Sequence, residues 1–174
     1  KHIKELDEKS YQIYDDIVTS GTEMVDAIKH IKDIAYGEEN EVILDLAANS
    51  LQYLLTARLY ASKYYDFHEE ENFESYIENY VLFMEHANEL RNRTDGYQYN
   101  ADLNTLEKNL SIYSDEMLEL SQLIKEMDQL IIEMDQIGTN VTKIIEEINN
   151  SIILEEEIYE EKIESQVTMM ISAM

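Results

Sequence analysis

Residues 103–134, LNTLEKNLSIYSDEMLELSQLIKEMDQLIIEM, decide the fold class of this chain. Apolar side chains recur there at alternating intervals of three and four residues, which places them along one face of an α-helix. This row consists of Leu103, Leu106, Leu110, Tyr113, Met117, Leu120, Ile124, Met127, Ile131 and Met134. A second row widens the apolar stripe and consists of Leu123, Leu130, Ile137 and Ile144. The stretch therefore predicts a long helix that packs against several neighbours.

The rest of the composition also favours helices. The 174 residues include no proline and four glycines, so few positions can interrupt a helix. The turn residues that a β-sheet protein needs are largely missing. We predict an all-α protein, an up-down four-helix bundle with long helices, with two stacked helical modules as a variant.

Two arrangements of the helices fit the apolar pattern. In the first, Gly37 is a kink in one helix over residues 1–65, helix 73–94 runs back, and a break at Gly138 separates helices 98–136 and 139–174. In the second, Gly37 is a turn and Gly138 lies inside one very long final helix. The unbroken apolar spacing across Gly138 supports the second arrangement. We favour the first, because residues 42–65 are apolar on nearly every face and poor in turn residues.

The charge and the side-chain inventory exclude several functions. A net charge of −25 repels a phosphate backbone, so we expect no nucleic-acid partner. The chain has no cysteine nucleophile, no phosphate-binding glycine loop and no nucleophile elbow, so we predict no enzyme, no catalytic residue and no cofactor. The histidines lack the spacing of a metal site, and we predict none; they are His2, His30, His68 and His86.

No apolar run in the sequence reaches the length of about 18 residues that a membrane-spanning helix needs. Residues 167–174, VTMMISAM, lose their charges and become apolar. This segment is either the approach to a membrane helix or a frayed apolar end, and composition does not separate the two.

Two stretches resemble the sensor domains of bacterial methyl-accepting chemotaxis proteins, of the helical bimodular and four-helix-bundle types. One is residues 51–66, LQYLLTARLYASKYYD, followed by an acidic turn and FESYIENY at 73–80. The other is residues 130–142, LIIEMDQIGTNVT, which resembles the last helix junction of that family. A proline commonly follows the glycine there, whereas this chain has Thr139, which argues against a sharp break. The resemblance covers roughly residues 40–160.

Membership of this family would imply that residues 1–174 are a single extracytoplasmic sensor domain, a fragment of a longer membrane receptor. The domain would be periplasmic, would form a homodimer and would pass a ligand-induced helix shift across an inner membrane. Some bimodular members sense small organic acids. The alternatives are the sensor domain of a two-component histidine kinase, a receptor for an amine, and a secreted helical structural or interaction protein with no small ligand.

Arg58 is the first candidate for ligand binding, because a guanidinium pairs well with a carboxylate and a charge in an apolar helix needs a partner. The acidity of the chain favours the simpler alternative, an internal Asp or Glu beside Arg58. Tyr80 lies near the level of Arg58 on the return helix. Under the first arrangement Thr142 begins the final helix at the same end. We therefore predict a ligand site formed by Arg58, Tyr80 and Thr142.

Overall fold

The computed structural model describes residues 2–94 and 96–172, and these residues form an all-helical bundle without strands. A short 3₁₀ helix, Tyr97–Tyr99, precedes the last α-helix. The four α-helices are α1, His2–Gly37; α2, Glu41–Phe67; α3, Glu70–Arg93; and α4, Asn100–Ser172. The predicted all-α fold class is confirmed.

The chain divides into two compact units, residues 1–127 and 128–174. The first unit contains α1, α2, α3 and residues 100–127 of α4, which we call the proximal part. The second unit contains the remainder, and its described residues, 128–172, are the distal part of α4. The prediction of one sensor domain over residues 1–174 concerns function as well as structure, and it stays a prediction.

Side-chain pairs in the first unit establish that the helices alternate in direction. Between α1 and proximal α4, Lys9 pairs with Glu119 at 2.7 Å, whereas His30, further along α1, contacts Asp102. The residue number rises along α1 as it falls along α4, so these two helices are antiparallel. The same holds for α1 and α2, where Tyr14 stacks on Tyr65 and Thr22 accepts a hydrogen bond from Arg58. It also holds for α2 and α3, where Tyr53 stacks on His86 and Tyr64 contacts Phe73.

The core of the first unit is built from the apolar row that the sequence predicts. Burial of apolar surface is the main force that holds such a bundle together. From α4 the buried members are Leu103, Leu106, Tyr113, Met117, Leu120, Ile124 and Met127. They meet the buried faces of the other helices, which include Met24, Ile28 and Ile31 of α1, Leu54 of α2, and Phe83 of α3.

The preference for one helix over residues 1–65 is wrong, because α1 ends at Gly37 and α2 begins at Glu41. Glu39 adopts a left-handed conformation with φ of 55°, which reverses the chain. The Asn40 side chain then accepts a hydrogen bond from the backbone N–H of Ile43 and caps α2. This turn lets α2 fold back on α1 and bury its apolar residues, which a continuous helix would leave without a neighbour.

The predicted break at Gly138 is also wrong, because Gly138 lies inside α4. The distal part of α4 is exposed along residues 131–172. No helix in residues 2–94 and 96–172 is both apolar enough and long enough to cross a lipid bilayer. Segment 167–174 is helical through Ser172, and its last two residues lie outside the described residues.

Candidate functional site

A groove between α1, α2 and proximal α4 contains Arg58, and we call it the Arg58 groove. Its cavity volume is about 350 Å³. That volume lies within the range of about 300–1,000 Å³ that is typical of small-molecule sites. The lining side chains are Tyr14, Ile17, Val18, Leu55, Arg58, Leu59, Ala61, Ser62 and Tyr113.

Hydrogen bonding to α1 holds the guanidinium of Arg58 in place. Arg58 Nη2 donates a 3.0 Å hydrogen bond to Oγ1 of Thr22. The Thr22 hydroxyl donates in turn to the backbone carbonyl of Val18 at 2.7 Å, so its oxygen is free to accept from Arg58. The internal carboxylate that the acidity of the chain favoured as a partner of Arg58 is not present among the described residues.

Gly21 allows Arg58 to lie close to the backbone of α1. A β-carbon at this position would lie 3.0 Å from both Arg58 Nε and Tyr113 Cε2. Any larger residue would therefore push against the charged group or against a buried ring. The absence of a side chain at residue 21 brings Arg58 and Tyr113 against the same turn of α1.

Tyr113 contributes a buried hydroxyl to this region. Its side chain is 1% exposed, and within residues 2–94 and 96–172 the hydroxyl has no hydrogen-bond partner. Burial raises the pKa of Tyr113 above its ordinary value, although the charge of Arg58 acts in the opposite direction. The phenol therefore stays protonated at neutral pH and remains a hydrogen-bond donor. Such an unpaired buried hydroxyl costs about 1–3 kcal/mol unless a partner reaches it.

Tyr80, the second predicted site residue, contacts the groove through Tyr113. The two rings stack with centroids 5.6 Å apart, and Tyr80 is not among the side chains that line the groove. Its hydroxyl already donates a 2.6 Å hydrogen bond to the carbonyl of Leu110. The pKa of Tyr80 is raised mainly by burial and to a smaller extent by the nearby charge of Asp115. Tyr80 thus supports Tyr113 and has no free donor for a ligand.

Thr142, the third predicted site residue, belongs to the distal part of α4. It is exposed, and its hydroxyl donates to the carbonyl of Gly138 at 3.0 Å. The turn at Gly138 that placed Thr142 beside Arg58 does not exist. The argument for Thr142 therefore loses its basis, while Arg58 and Tyr80 both lie in the first unit.

Sequence reasoning did not single out Thr22, Gly21 or Tyr113 for this site. Tyr113 belongs to the regular apolar row, where nothing distinguishes it from a core residue. A glycine in the middle of a helix is unfavourable by itself, and this was the one available signal for Gly21. It indicates a close approach by some side chain but does not identify Arg58.

A second, smaller groove is acidic and lies between α1 and proximal α4. It has a volume of about 190 Å³, and its lining includes three carboxylates, those of Asp16, Glu23 and Glu116, against one cation, Lys108. The pKa of Glu116 is raised by burial and by the nearby charges of Asp16, Glu119 and Asp115. Among the described residues, no group of three or more histidine, aspartate or glutamate side chains is arranged to hold a metal ion.

Comparisons of this chain with models of protein families, with curated proteins and with solved structures give no match. A function for this chain therefore has to be inferred from the geometry of the Arg58 groove, and the resemblance of residues 51–66, 73–80 and 130–142 to chemoreceptor sensor domains stays a hypothesis.

Proposed function

We propose that this chain is the extracytoplasmic ligand-sensing domain of a transmembrane chemoreceptor, and that it binds a small organic acid in the Arg58 groove. The observation that carries the proposal is the position of Arg58. Its guanidinium lines a cavity, in a chain of net charge −25, without a carboxylate partner among the described residues. Guanidinium groups pair strongly with carboxylates, so an external carboxylate is the natural ligand.

The groove is well placed to convert binding into a helix shift. Its lining comes from α1, α2 and α4, so a ligand that contacts all three would favour one relative position of these helices. Packed helices have discrete alternative positions, and a difference of a few kcal/mol between them changes their populations substantially. In the proposed receptor this shift would pass across the inner membrane to a cytoplasmic module.

The parent protein would be membrane-anchored and the sensor domain would form a homodimer in the periplasm. A two-component histidine kinase could use the same sensor domain, and the output module alone separates these two receptors. The identity of the ligand does not depend on which output module the receptor carries. It can therefore be tested on residues 1–174 alone.

The test is a thermal-shift screen of residues 1–174 against organic acids, amino acids, amines and nitrate. We expect a concentration-dependent rise in the melting temperature with at least one organic acid. The rise should disappear in Arg58→Gln and persist in Arg93→Gln, because Arg93 is exposed and pairs with Glu89 on its own helix. An unchanged rise in Arg58→Gln would place the site elsewhere. A rise with amines alone would favour the alternative that the domain is a receptor for an amine.

A helical interaction protein is the second candidate function, and the distal part of α4 favours it. Apolar side chains there are about half exposed and follow the same three-four spacing as the core row; they are Ile131, Met134, Val141, Ile145, Ile148 and Ile152. Such a stripe is typical of a helix that pairs with another helix. Two copies of this chain could cover each other's stripes.

Sedimentation equilibrium of residues 1–174 tests this second candidate. The stripe predicts self-association that strengthens with salt, because acidic side chains on both copies repel each other. The double substitution Ile145→Ser and Ile152→Ser should weaken it, whereas Asn149→Ser should not. If the chain stays monomeric at every protein and salt concentration tested, a second copy of this chain is not the partner of the stripe.

A further inference from the structure

The lining of the Arg58 groove restricts the class of acid that it can bind. Arg58 is the one cationic side chain among the described lining residues, and none of those residues carries a carboxylate. A second carboxylate on the ligand would find no cation in the groove. An ammonium group on the ligand would find no anion there. The charges match a ligand with one carboxylate and no other charged group.

The surroundings of the groove also oppose a second negative charge. Tyr14 lines the groove and stacks on Tyr65 with ring centroids 4.0 Å apart. The pKa of Tyr65 is raised, first by burial and then by the charge of Asp7, with smaller contributions that include Asp66. Asp7 and Asp66 therefore produce a negative field at Tyr65, the ring that stacks on Tyr14. This field would weaken the binding of a dianion more than that of a monoanion.

Most of the lining is apolar, which indicates the nature of the rest of the ligand. Ile17, Val18, Leu55 and Leu59 supply aliphatic surface, and Tyr14 supplies an aromatic ring. Leu55 is 47% exposed and Leu59 is 54% exposed, so a ligand in the groove could cover apolar surface that now faces water. Removal of this apolar surface from water would favour the binding of a ligand with an apolar body.

Tyr113 is a second hydrogen-bond donor among the lining residues of the groove. It lines the groove beside Arg58, and its protonated hydroxyl lacks a partner in residues 2–94 and 96–172. A carboxylate has two oxygens, each able to accept hydrogen bonds. One can accept from the guanidinium while the other accepts from the phenol, and the unpaired hydroxyl would then gain its missing acceptor.

We propose that the Arg58 groove binds a monocarboxylate with an apolar body, and that Arg58 and the Tyr113 hydroxyl both donate to its carboxylate. This inference rests on the proposed function, since it requires that Arg58 binds an organic acid. It adds the charge of the ligand, its apolar character and the role of Tyr113 in specificity.

The experiment is isothermal titration calorimetry of residues 1–174 with a matched series of probes. Phenylacetate carries one carboxylate on an apolar body, phenylsuccinate adds a carboxylate, phenylalanine adds an ammonium group, and 2-phenylethanol lacks the charge. Hexanoate carries one carboxylate on an aliphatic body. Succinate carries two carboxylates and lacks an extended apolar body. We expect phenylacetate or hexanoate to bind at least about tenfold more tightly than the other four, which corresponds to about 1.4 kcal/mol.

Variants test the two donors. Arg58→Gln should abolish measurable binding of the monocarboxylates. Tyr113→Phe keeps the ring and removes the hydroxyl, and it should weaken binding by about threefold to tenfold, the effect of one hydrogen bond. Far-UV circular dichroism of both variants verifies that the helices are intact.

The possible failures are distinguishable. Tighter binding of succinate or phenylsuccinate, lost in Arg58→Gln, would overturn the monocarboxylate inference and leave the proposed function standing. Unchanged affinity in Tyr113→Phe would overturn the second contact. Binding that is independent of Arg58, or no binding of any probe, would overturn the inference, and Arg58-independent binding would also remove the proposed site.

Discussion

Tyr80 and Tyr113 stack with ring centroids 5.6 Å apart and an interplanar angle of 20°, yet their hydroxyls differ in hydrogen bonding. Tyr80 donates to the Leu110 carbonyl, which links α3 to proximal α4. The Tyr113 hydroxyl is buried and has no partner in the described part of the chain. Of these two adjacent tyrosines in one core, Tyr80 therefore has a satisfied hydroxyl and Tyr113 an unsatisfied one.

This difference predicts opposite results for removal of the two hydroxyls. Tyr80→Phe should lower the free energy of unfolding by about 1 kcal/mol, because it removes a satisfied buried hydrogen bond. Tyr113→Phe should leave the free energy of unfolding unchanged or raise it, because no bond is lost and a buried polar group is removed. Urea denaturation at pH 7 measures both. An equal loss in the two variants would mean that Tyr113 has a hydrogen-bond acceptor.

Two glycines inside helices should respond differently to alanine. At Gly21 the new methyl group would lie 3.0 Å from Arg58 Nε and from the buried ring of Tyr113, whereas no atom lies within 4 Å at Gly138. We expect Gly21→Ala to lower the free energy of unfolding by about 1–2 kcal/mol through overpacking. Gly138→Ala should increase helicity, because alanine is favoured over glycine in an exposed helix by about 0.5–1 kcal/mol.

Urea denaturation and the ellipticity at 222 nm test both glycine variants. A stabilised Gly21→Ala variant would show that Arg58 and Tyr113 can move aside, and that the close contact at Gly21 does not constrain the groove.

Glu116 should destabilise the fold at neutral pH. One of its carboxylate oxygens is buried without a hydrogen-bond partner in residues 2–94 and 96–172, and burial and neighbouring acids raise its pKa in the folded state. A raised carboxyl pKa means that the folded state binds a proton more tightly than the unfolded state. Stability is therefore gained as the pH falls through the folded pKa towards the unfolded value.

Glu116→Gln should accordingly raise the melting temperature at pH 7, and the difference from the wild type should shrink as the pH falls towards 4. Glu119→Gln is the matched control, because Glu119 pairs with Lys9 at 2.7 Å. Loss of this exposed ion pair should lower the free energy of unfolding by at most about 1 kcal/mol. A Glu116→Gln variant that is less stable than the wild type at pH 7 would contradict the argument.

Tyr99 should contribute stability that disappears at alkaline pH. Its hydroxyl donates to Glu38, and burial together with this hydrogen bond raises the pKa of Tyr99 to about 12. The unfolded value is 10.0, so the contribution is fully present below pH 10 and is lost as the pH rises towards 12.

We expect Tyr99→Phe to be less stable than the wild type at pH 9, with a smaller difference at pH 11. Urea denaturation at the two pH values gives both differences, and comparison of variants removes the contribution of the other tyrosines. A difference that stays constant between pH 9 and pH 11 would show that the hydrogen bond to Glu38 is not coupled to ionisation of Tyr99.

The sequence by itself determined the fold class and much of the core. The absence of proline and the three-four spacing of residues 103–127 are local properties, and they require a helix with one apolar face wherever it is placed. Seven members of that row are buried, as the spacing predicts: Leu103, Leu106, Tyr113, Met117, Leu120, Ile124 and Met127. The sequence also indicated that Arg58 needs a polar partner, because it lies in an apolar helix, and the Thr22 hydroxyl is such a partner.

The tertiary structure decided which glycine ends a helix and which side chains meet. Gly37 and Gly138 are both exposed glycines, and only the former is followed by a left-handed residue and an asparagine cap. The apolar spacing continues through Ile131 and Ile152, but these residues are exposed, because periodicity specifies an apolar stripe and not the helix that covers it. The hydrogen bond of Arg58 to Thr22 joins α2 to α1, and the close approach of Tyr113 to Gly21 joins α4 to the same turn of α1. Such contacts depend on how the helices pack, and no local pattern encodes them.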